Sequence, residues 1–451
     1  MSAIAAIATP DAPGGIAVIR ISGESSLAVS DKIFKGQKIP SEMKGYTCAH
    51  GIIKDKDEEV DDVVLTVFRA PMSYTGEDVV EISCHGGRFI TKKILRVILD
   101  NGADLAAPGE FTKRAFLNGK LSLTQAEAVM DVISSSGEKQ LRVSNALKNG
   151  SMYRRVQGIK NMLLDMLSGL AAWADFPEED VPESDPSTLL SQTCGIIEEL
   201  KKLLSTYDSG RILREGIKTV ICGKPNVGKS TLMNLLSGYQ RSIVTDIAGT
   251  TRDTIEESVK LGELTLCLSD TAGIRDTDDK IESMGVDIAY QKIEESDLVL
   301  AVFDMTTPLD EKEKELIEHL KGRKCICIIN KTDGESLIEK DMLYSSFENI
   351  VEISAKNDEG IDKLGKCAER LFDTDDTEGF DGVIVNERQK ICIEKCLFEM
   401  YNAKAVLENG EMLDALTVVL DSALAHLLEL SGESVSETVI DEVFSRFCVG
   451  K

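Results

Sequence analysis

The chain has 451 residues, 42% apolar and 28% charged, a make-up that fits a folded protein with two or three cores and excludes a disordered or fibrous one. A formal net charge of −26 argues against a broad nucleic-acid footprint, because phosphate contacts need clustered Lys and Arg; an RNA partner would be met through a local basic patch or held by a second protein. No apolar run reaches about eighteen residues, and the opening "MSAIAAIATPDAPGG" has neither a basic leader nor a long apolar stretch, so a cytoplasmic protein without membrane contact is expected.

Up to about residue 118, short β-like runs ("GGIAVIRIS", "DVVLTVF", "DVVEISCHGG") surround one amphipathic helix, "RFITKKILRVILDNG", which Gly102 ends. From "LTQAEAVMDVISSSGEKQLRVSNAL" through "NMLLDMLSGLAAWADF" apolar residues recur every three and four positions, predicting long helices broken by the acidic "DFPEEDVPESDP". At "IKTVICG" the rhythm changes. The β-like runs "TLCLSD", "DLVLAVFD", "KCICIIN" and "IVEISA" then alternate with helical stretches to about residue 376, predicting a mostly parallel sheet covered by helices. After "DTDDTEG" helix returns in "ERQKICIEKCLFEMYNAKAVLENG" and "LDALTVVLDSALAHLLELSG". The expected fold is therefore multidomain, α/β plus α. An N-terminal α/β domain covers 1–118, a helical domain has parts at 119–211 and 377–451, and an α/β domain at 212–376 is inserted between those parts. The eleven cysteines are scattered and read as reduced, mostly buried thiols; Cys325 and Cys327, two apart in a β run, share one strand face and make neither a zinc knuckle nor a redox motif.

The inserted domain carries the chemistry. "GKPNVGKST", Gly223 to Thr231, fits GxxxxGK[ST] directly after a β run and before a helix. Gly223 and Gly228 let backbone NH groups turn onto phosphate oxygens, and the helix N-terminus adds its positive end. The GTP-contacting stretch spans Asn226, Val227, Gly228, Lys229, Ser230 and Thr231, with Lys229 reaching the β and γ phosphates and Ser230 offering its hydroxyl to Mg²⁺. In "DTAG", Asp270 can hold the Mg²⁺ through water and Gly273 offers an NH to the γ phosphate, with Thr271 and Ala272 between them. "NKTD" (Asn330, Lys331, Asp333) places a carboxylate that accepts two hydrogens from the guanine edge, which adenine cannot supply. "SAK" (Ser354, Ala355, Lys356) brings the Ala355 NH toward the guanine carbonyl. A first switch, "TDIAGTTRDT", contributes Thr245, Asp246, Ile247, Ala248, Gly249, Thr250 and Thr251, with Thr251 as the threonine for Mg²⁺ and the γ phosphate. Together these motifs specify a guanine-specific P-loop GTPase using GTP and Mg²⁺.

One position breaks the pattern. In "LSDTAGIRDT" the residue after Gly273 is Ile274, where a Ras-like switch keeps the glutamine that orients the attacking water, and no arginine finger is identifiable. Among the acidic groups downstream, Asp278, Asp279 and Glu282 are the candidates for that task.

The Gly-Thr-Thr-Arg-Asp of the first switch resembles the TrmE-Era-EngA-YihA-Septin-like group of GTPases. "PGEFTKRAFLNGKLSLTQAEAV", "SYTGEDVVEISCHGG", "GGIAVIRISG", the "DFPEED" break and the terminal "FCVGK" resemble landmarks of one of its members, the tRNA-modification GTPase family MnmE (TrmE), from end to end. "TPDAPGG" replaces a glycine-richer loop, and Val449 stands where isoleucine is more usual. The resemblance implies an N-terminal folate-binding and dimerising domain, with Arg20, Glu81, Lys120 and Lys451 at the folate site and Cys448 near it. It further implies a homodimer that joins the FAD-containing flavoprotein MnmG (GidA) in a heterotetramer. The pair would modify carbon 5 of the tRNA wobble uridine with an aminomethyl or carboxymethylaminomethyl group, using the one-carbon unit of 5,10-methylene- or 5-formyl-tetrahydrofolate. The tRNA would be bound largely through the partner. For hydrolysis it implies a K⁺ ion at Asn226, Thr245, Ile247 and Thr250 in place of the arginine finger, and Glu282 as the water-orienting group. Arg252, Asp253 and Arg275 become candidates for contact between G domains or for coupling to modification. The competing readings are an Era- or Der-like ribosome-assembly switch, which would need an RNA-binding module or a second G domain, and a folate-dependent methyl-transfer protein.

Overall fold

The computed structural model describes residues 2–135, 137–175, 185–239, 257–262, 264–268, 290–372, 382–410 and 413–450. The chain forms two compact units, Met1–Met130 with Ala425–Lys451, and Asp131–Leu424.

The first unit is built on a seven-stranded sheet. Its strands are β1 (Ile4–Ile7), β2 (Ile16–Ser22), β3 (Phe34–Gly36), β4 (Thr47–Asp55), β5 (Glu58–Phe68), β6 (Val79–His85) and β7 (Asp104–Leu105), ordered β3-β4-β5-β6-β2-β1-β7. The β1–β7 pair is parallel and the other neighbours are antiparallel. Alternation in β2 and β6 sends Ala17, Ile19 and Ile21, with Val80, Ile82 and Cys84, into one core. Helix Arg88–Asp100 seals that core with Ile94, Val97 and Ile98. The helix stops where expected, since Gly102 at φ +111° adopts a backbone that a side chain would oppose.

Helix Glu110–Leu117 contributes a buried charge cluster. Arg114 donates to Glu77 at 3.2 Å, to Glu110 at 3.0 Å and to the Ser2 carbonyl at 3.0 Å. Arg114→Ala would leave the well-covered Glu77 carboxylate uncompensated, so it should lower stability by about 3–5 kcal/mol. Thermal unfolding of the variant within about 1 °C of the parent would show that the cluster does not hold this unit together.

In the second unit the expected helices form as Glu138–Lys148, Ser151–Asp175 and Glu387–Asn409. The acidic break falls largely outside the described residues; after it, Asp185 caps helix Pro186–Leu204. A six-stranded sheet follows: β8 (Ile217–Cys222), β9 (Glu257–Leu261), β10 (Leu264–Leu268), β11 (Leu298–Asp304), β12 (Cys325–Asn330) and β13 (Ile350–Glu352). The order is β13-β12-β11-β8-β10-β9, parallel except for the β9–β10 pair. Every residue of β11 and β12 is buried because both sheet faces are covered. Leu298, Leu300 and Val302 enter one core with Ile326 and Ile328, while Val299, Ala301 and Phe303 enter another with Cys325 and Cys327. The two cysteines thus share a face, and burial pushes the Cys325 thiol up to about 12. All eleven cysteines are free and six are buried, so neither a disulfide nor a surface-thiol framework holds the fold. No helix among the described residues is long and apolar enough to cross a membrane.

The sheet positions the site. β8 lies between β10 and β11, so the chain leaves it at the point where strand order reverses, and ligands of open α/β sheets bind at the carboxyl end of such a point.

Candidate nucleotide site

The loop after β8 folds as its glycines dictate. Gly223 has φ +140° and Gly228 φ +102°. A Cβ at Gly223 would collide with the Val302 carbonyl of β11, and one at Gly228 with the Asn330 side-chain amide. Side chains are excluded by backbone angle and by space alike. Val227 is fully buried and anchors the loop, while the exposed Asn226 takes a left-handed backbone at φ +66°. Helix Lys229–Tyr239 starts at the end of the loop, which puts the Ser230 hydroxyl on its exposed first turn, where a Mg²⁺ ligand can work. Lys229 donates to the carbonyls of Gly223 at 2.7 Å and Lys224 at 2.8 Å, and burial lowers its pKa.

Asn330, at the end of β12, joins three loops. It is 2% exposed; its Nδ2 donates to the Val227 carbonyl at 2.8 Å and its Oδ1 accepts from the Ala355 NH at 3.0 Å. The Ala355 NH, expected at the guanine carbonyl, is thus directed onto Asn330. Asp333 accepts from Ser354 Oγ at 2.7 Å, a bond that holds its carboxyl below the usual range and keeps it an ionised acceptor. Lys356 lies exposed beside this loop.

Lys331 has φ +64° and donates both to the Asn226 carbonyl at 2.8 Å and to Asp304 at 2.5 Å. Asp304 also accepts from the Thr306 NH and hydroxyl at 2.9 and 2.7 Å. Burial would raise its pKa, but the bonds from Lys331 and Thr306 outweigh burial and lower it. Sequence reasoning did not single out Asp304. The available signal is a carboxylate closing the otherwise apolar run "LVLAVFD".

The structure therefore brings together Asn226, Val227, Gly228, Lys229, Ser230 and Thr231 with Asn330, Lys331, Asp333, Ser354, Ala355 and Lys356. Thr245, Asp246, Ile247, Ala248, Gly249, Thr250, Thr251, Arg252 and Asp253 lie outside the described residues, as do Asp270, Thr271, Ala272, Gly273, Ile274, Arg275, Asp278, Asp279, Glu282 and Lys451.

In the first unit, Arg20 of β2 and Glu81 of β6 face each other in register. Arg20 Nε donates to Glu81 Oε1 at 2.9 Å, and a second guanidinium nitrogen lies 2.7 Å from the same oxygen. The guanidinium carbon stands 5.6 and 5.5 Å from the ring centres of Tyr74 and Phe111, and Arg20 also reaches the Gly450 carbonyl at 3.4 Å. Neither ring was foreseen in this role: both lie in quoted landmark stretches, but their stacking against Arg20 comes from the fold and not from spacing along the chain. The Cys448 carbonyl accepts from the Gly109 NH at 3.3 Å, and the Cys448 side chain is half-buried. Lys120 is exposed and donates to the Pro71 carbonyl at 3.1 Å.

Comparison with known proteins places this arrangement. Residues 3–120 match the model described as "GTP-binding protein TrmE N-terminus", and residues 123–448 match "MnmE helical domain". Curated relatives named "tRNA modification GTPase MnmE" span the whole length. The one from Carboxydothermus hydrogenoformans is 40% identical over 456 residues, that from Lachnoclostridium phytofermentans 42% over 453, and that from Clostridioides difficile 41% over 453. Each alignment covers 99% of both chains, so the likeness includes the parts outside the GTPase motifs. With its P-loop on a mostly parallel sheet, and with that similarity from end to end, this GTP-hydrolysing chain belongs to the MnmE family of tRNA modification GTPases.

Proposed function

We propose that the chain is a potassium-dependent GTPase that forms a homodimer and, with an FAD-containing MnmG (GidA) partner in the cytoplasm, modifies carbon 5 of the tRNA wobble uridine. The product is an aminomethyl or carboxymethylaminomethyl uridine, and a tetrahydrofolate derivative supplies the one-carbon unit. In this reading residues 1–118 bind folate and dimerise, 119–211 and 377–451 form the helical domain, and 212–376 are the inserted G domain. The observation that carries it is the end-to-end likeness to proteins named for tRNA modification.

Two local features support the finer parts. Lys331 anchors the Asn226 carbonyl, which leaves an exposed side-chain amide on a fixed backbone as an ion ligand beside the phosphate loop. A K⁺ ion held there with Thr245, Ile247 and Thr250 would stabilise transition-state charge as an arginine does. In the other unit both Arg20 contacts end on Glu81 Oε1, so Oε2 of the partly exposed Glu81 can accept from the donor edge of a pterin. Lys120 and Lys451 then suit the anionic tail, and Cys448 lies on the segment that leads to Lys451. Magnesium would be held by Ser230 and Thr251, and supplies charge neutralisation on the phosphates.

GTP turnover should be rapid in potassium and near background in sodium at equal ionic strength; equal rates would remove the ion from the mechanism. Expressing the gene in a strain lacking wobble-uridine modification should restore the modified nucleoside. Unmodified tRNA despite normal GTP turnover would favour a binding switch instead.

A further inference from the structure

The phosphate loop is gripped from a direction that none of its motif residues explains. Lys224, the residue after Gly223, turns its side chain onto Glu313, with Nζ 2.9 Å from Oε2. Glu313 lies in helix Glu311–His319 and is 3% exposed. The same Oε2 accepts from the Asp310 NH at 3.1 Å, while the Glu313 NH donates to Asp310 Oδ1 at 2.9 Å, a reciprocal capping box at the helix start. Asp310 Oδ2 is itself 3.6 Å from Lys224 Nζ. Burial works against the Lys224 charge, but the two carboxylates outweigh it and raise its pKa.

We propose that Glu313 is a positioning residue for GTP hydrolysis, acting through Lys224 to hold the outer arm of the phosphate loop, Lys224 to Asn226. The geometry shows what is at stake. The Lys224 carbonyl accepts from the Lys229 ammonium, so a shift of Lys224 is a shift of the cation that meets the β and γ phosphates. Asn226 is a non-glycine residue in the left-handed region, a conformation that persists where its surroundings over-determine it. Lys331 holds its carbonyl on one side, and the Lys224–Glu313 pair fixes the chain two residues before it on the other. A small displacement leaves the loop's ground-state phosphate contacts and the guanine contacts in place, but misaligns groups that must match charge growing in the transition state, so it acts on kcat more than on KM.

Glu313→Gln separates this role from helix capping, since a glutamine oxygen still accepts from the Asp310 NH while the ion pair is lost. With the full-length protein, kcat for GTP should fall about tenfold, with KM for GTP within about twofold and an unchanged melting temperature. Adding Lys224→Met to Glu313→Gln should cost little more, because the two groups act as one unit. Lys224→Arg, which keeps the cation, should retain kcat near the parent. Parental kcat in Glu313→Gln would overturn the proposal. So would a loss of kcat that merely follows a drop in melting temperature, or an additive double variant.

Discussion

Asp333→Asn should weaken GTP binding by about 10³–10⁵-fold and admit xanthosine triphosphate in its place. Guanine presents two donors on the edge that Asp333 would meet, a ring NH and an exocyclic amine, and an ionised carboxylate accepts both. Ser354 Oγ donates to Asp333 Oδ1 at 2.7 Å, which fixes the orientation of the group. In the asparagine variant the amide oxygen would stay on Ser354, because that position needs an acceptor. The NH₂ would then turn to the base and oppose a donor with a donor. Xanthine carries a carbonyl where guanine carries the amine, so the same NH₂ finds an acceptor there. The fold is not at risk, since Asp333 is a loop residue whose bond to Ser354 the amide oxygen preserves. Calorimetric titration with both nucleotides checks the exchange. Unchanged GTP affinity would place the guanine edge elsewhere.

How much of this was legible in the sequence depended on whether the information was local. The apolar runs of β8, β11 and β12 read correctly because a strand buried on both faces needs no alternation, and "KCICIIN" shows none. β1, "IAAI", was not foreseen: two of its four residues are alanine, which is poor in strands, and its place is fixed by pairing with β2 and β7. β4, "TCAHGIIKD", was missed for a related reason, since its first half, "TCAHG", holds no large apolar residue and β3 and β5 supply its partners. In the site, Gly223, Lys229 and Asp333 were legible because their chemistry is carried by spacing along the chain. Asn330 was placed in the site, but its task was not readable: its amide bridges to Val227, 103 positions away, and to Ala355. Asp304, Lys224 and Glu313 escaped for the same reason, as each acts through a partner on another element. Arg20 and Glu81 entered through family resemblance alone; the β2–β6 register supplies the physical reason they belong together.

Glu282→Ala should leave GTP affinity intact and lower kcat by about a hundredfold or more, the scale on which preorganised catalytic groups act. Binding and chemistry separate because the groups that hold the ground state are elsewhere. In the proposed reading Lys229 and the phosphate loop meet the phosphates, and Asp333 meets the base. At the position after Gly273 the side chain of Ile274 offers neither donor nor acceptor, so another group is needed to orient the water. A carboxylate eight residues further on can do so through a second water. Asp278→Asn and Asp279→Asn are the controls, and both should turn over normally; parental turnover in Glu282→Ala would transfer the role to one of them. The ion and the carboxylate would serve different atoms, the first on charge growing at the phosphates and the second on the attacking water. The residual rate of Glu282→Ala should therefore still rise in potassium over sodium by a factor close to the parent's. A residual rate indifferent to the cation would mean that the two act as one unit, with the ion's benefit expressed only when the water is in place.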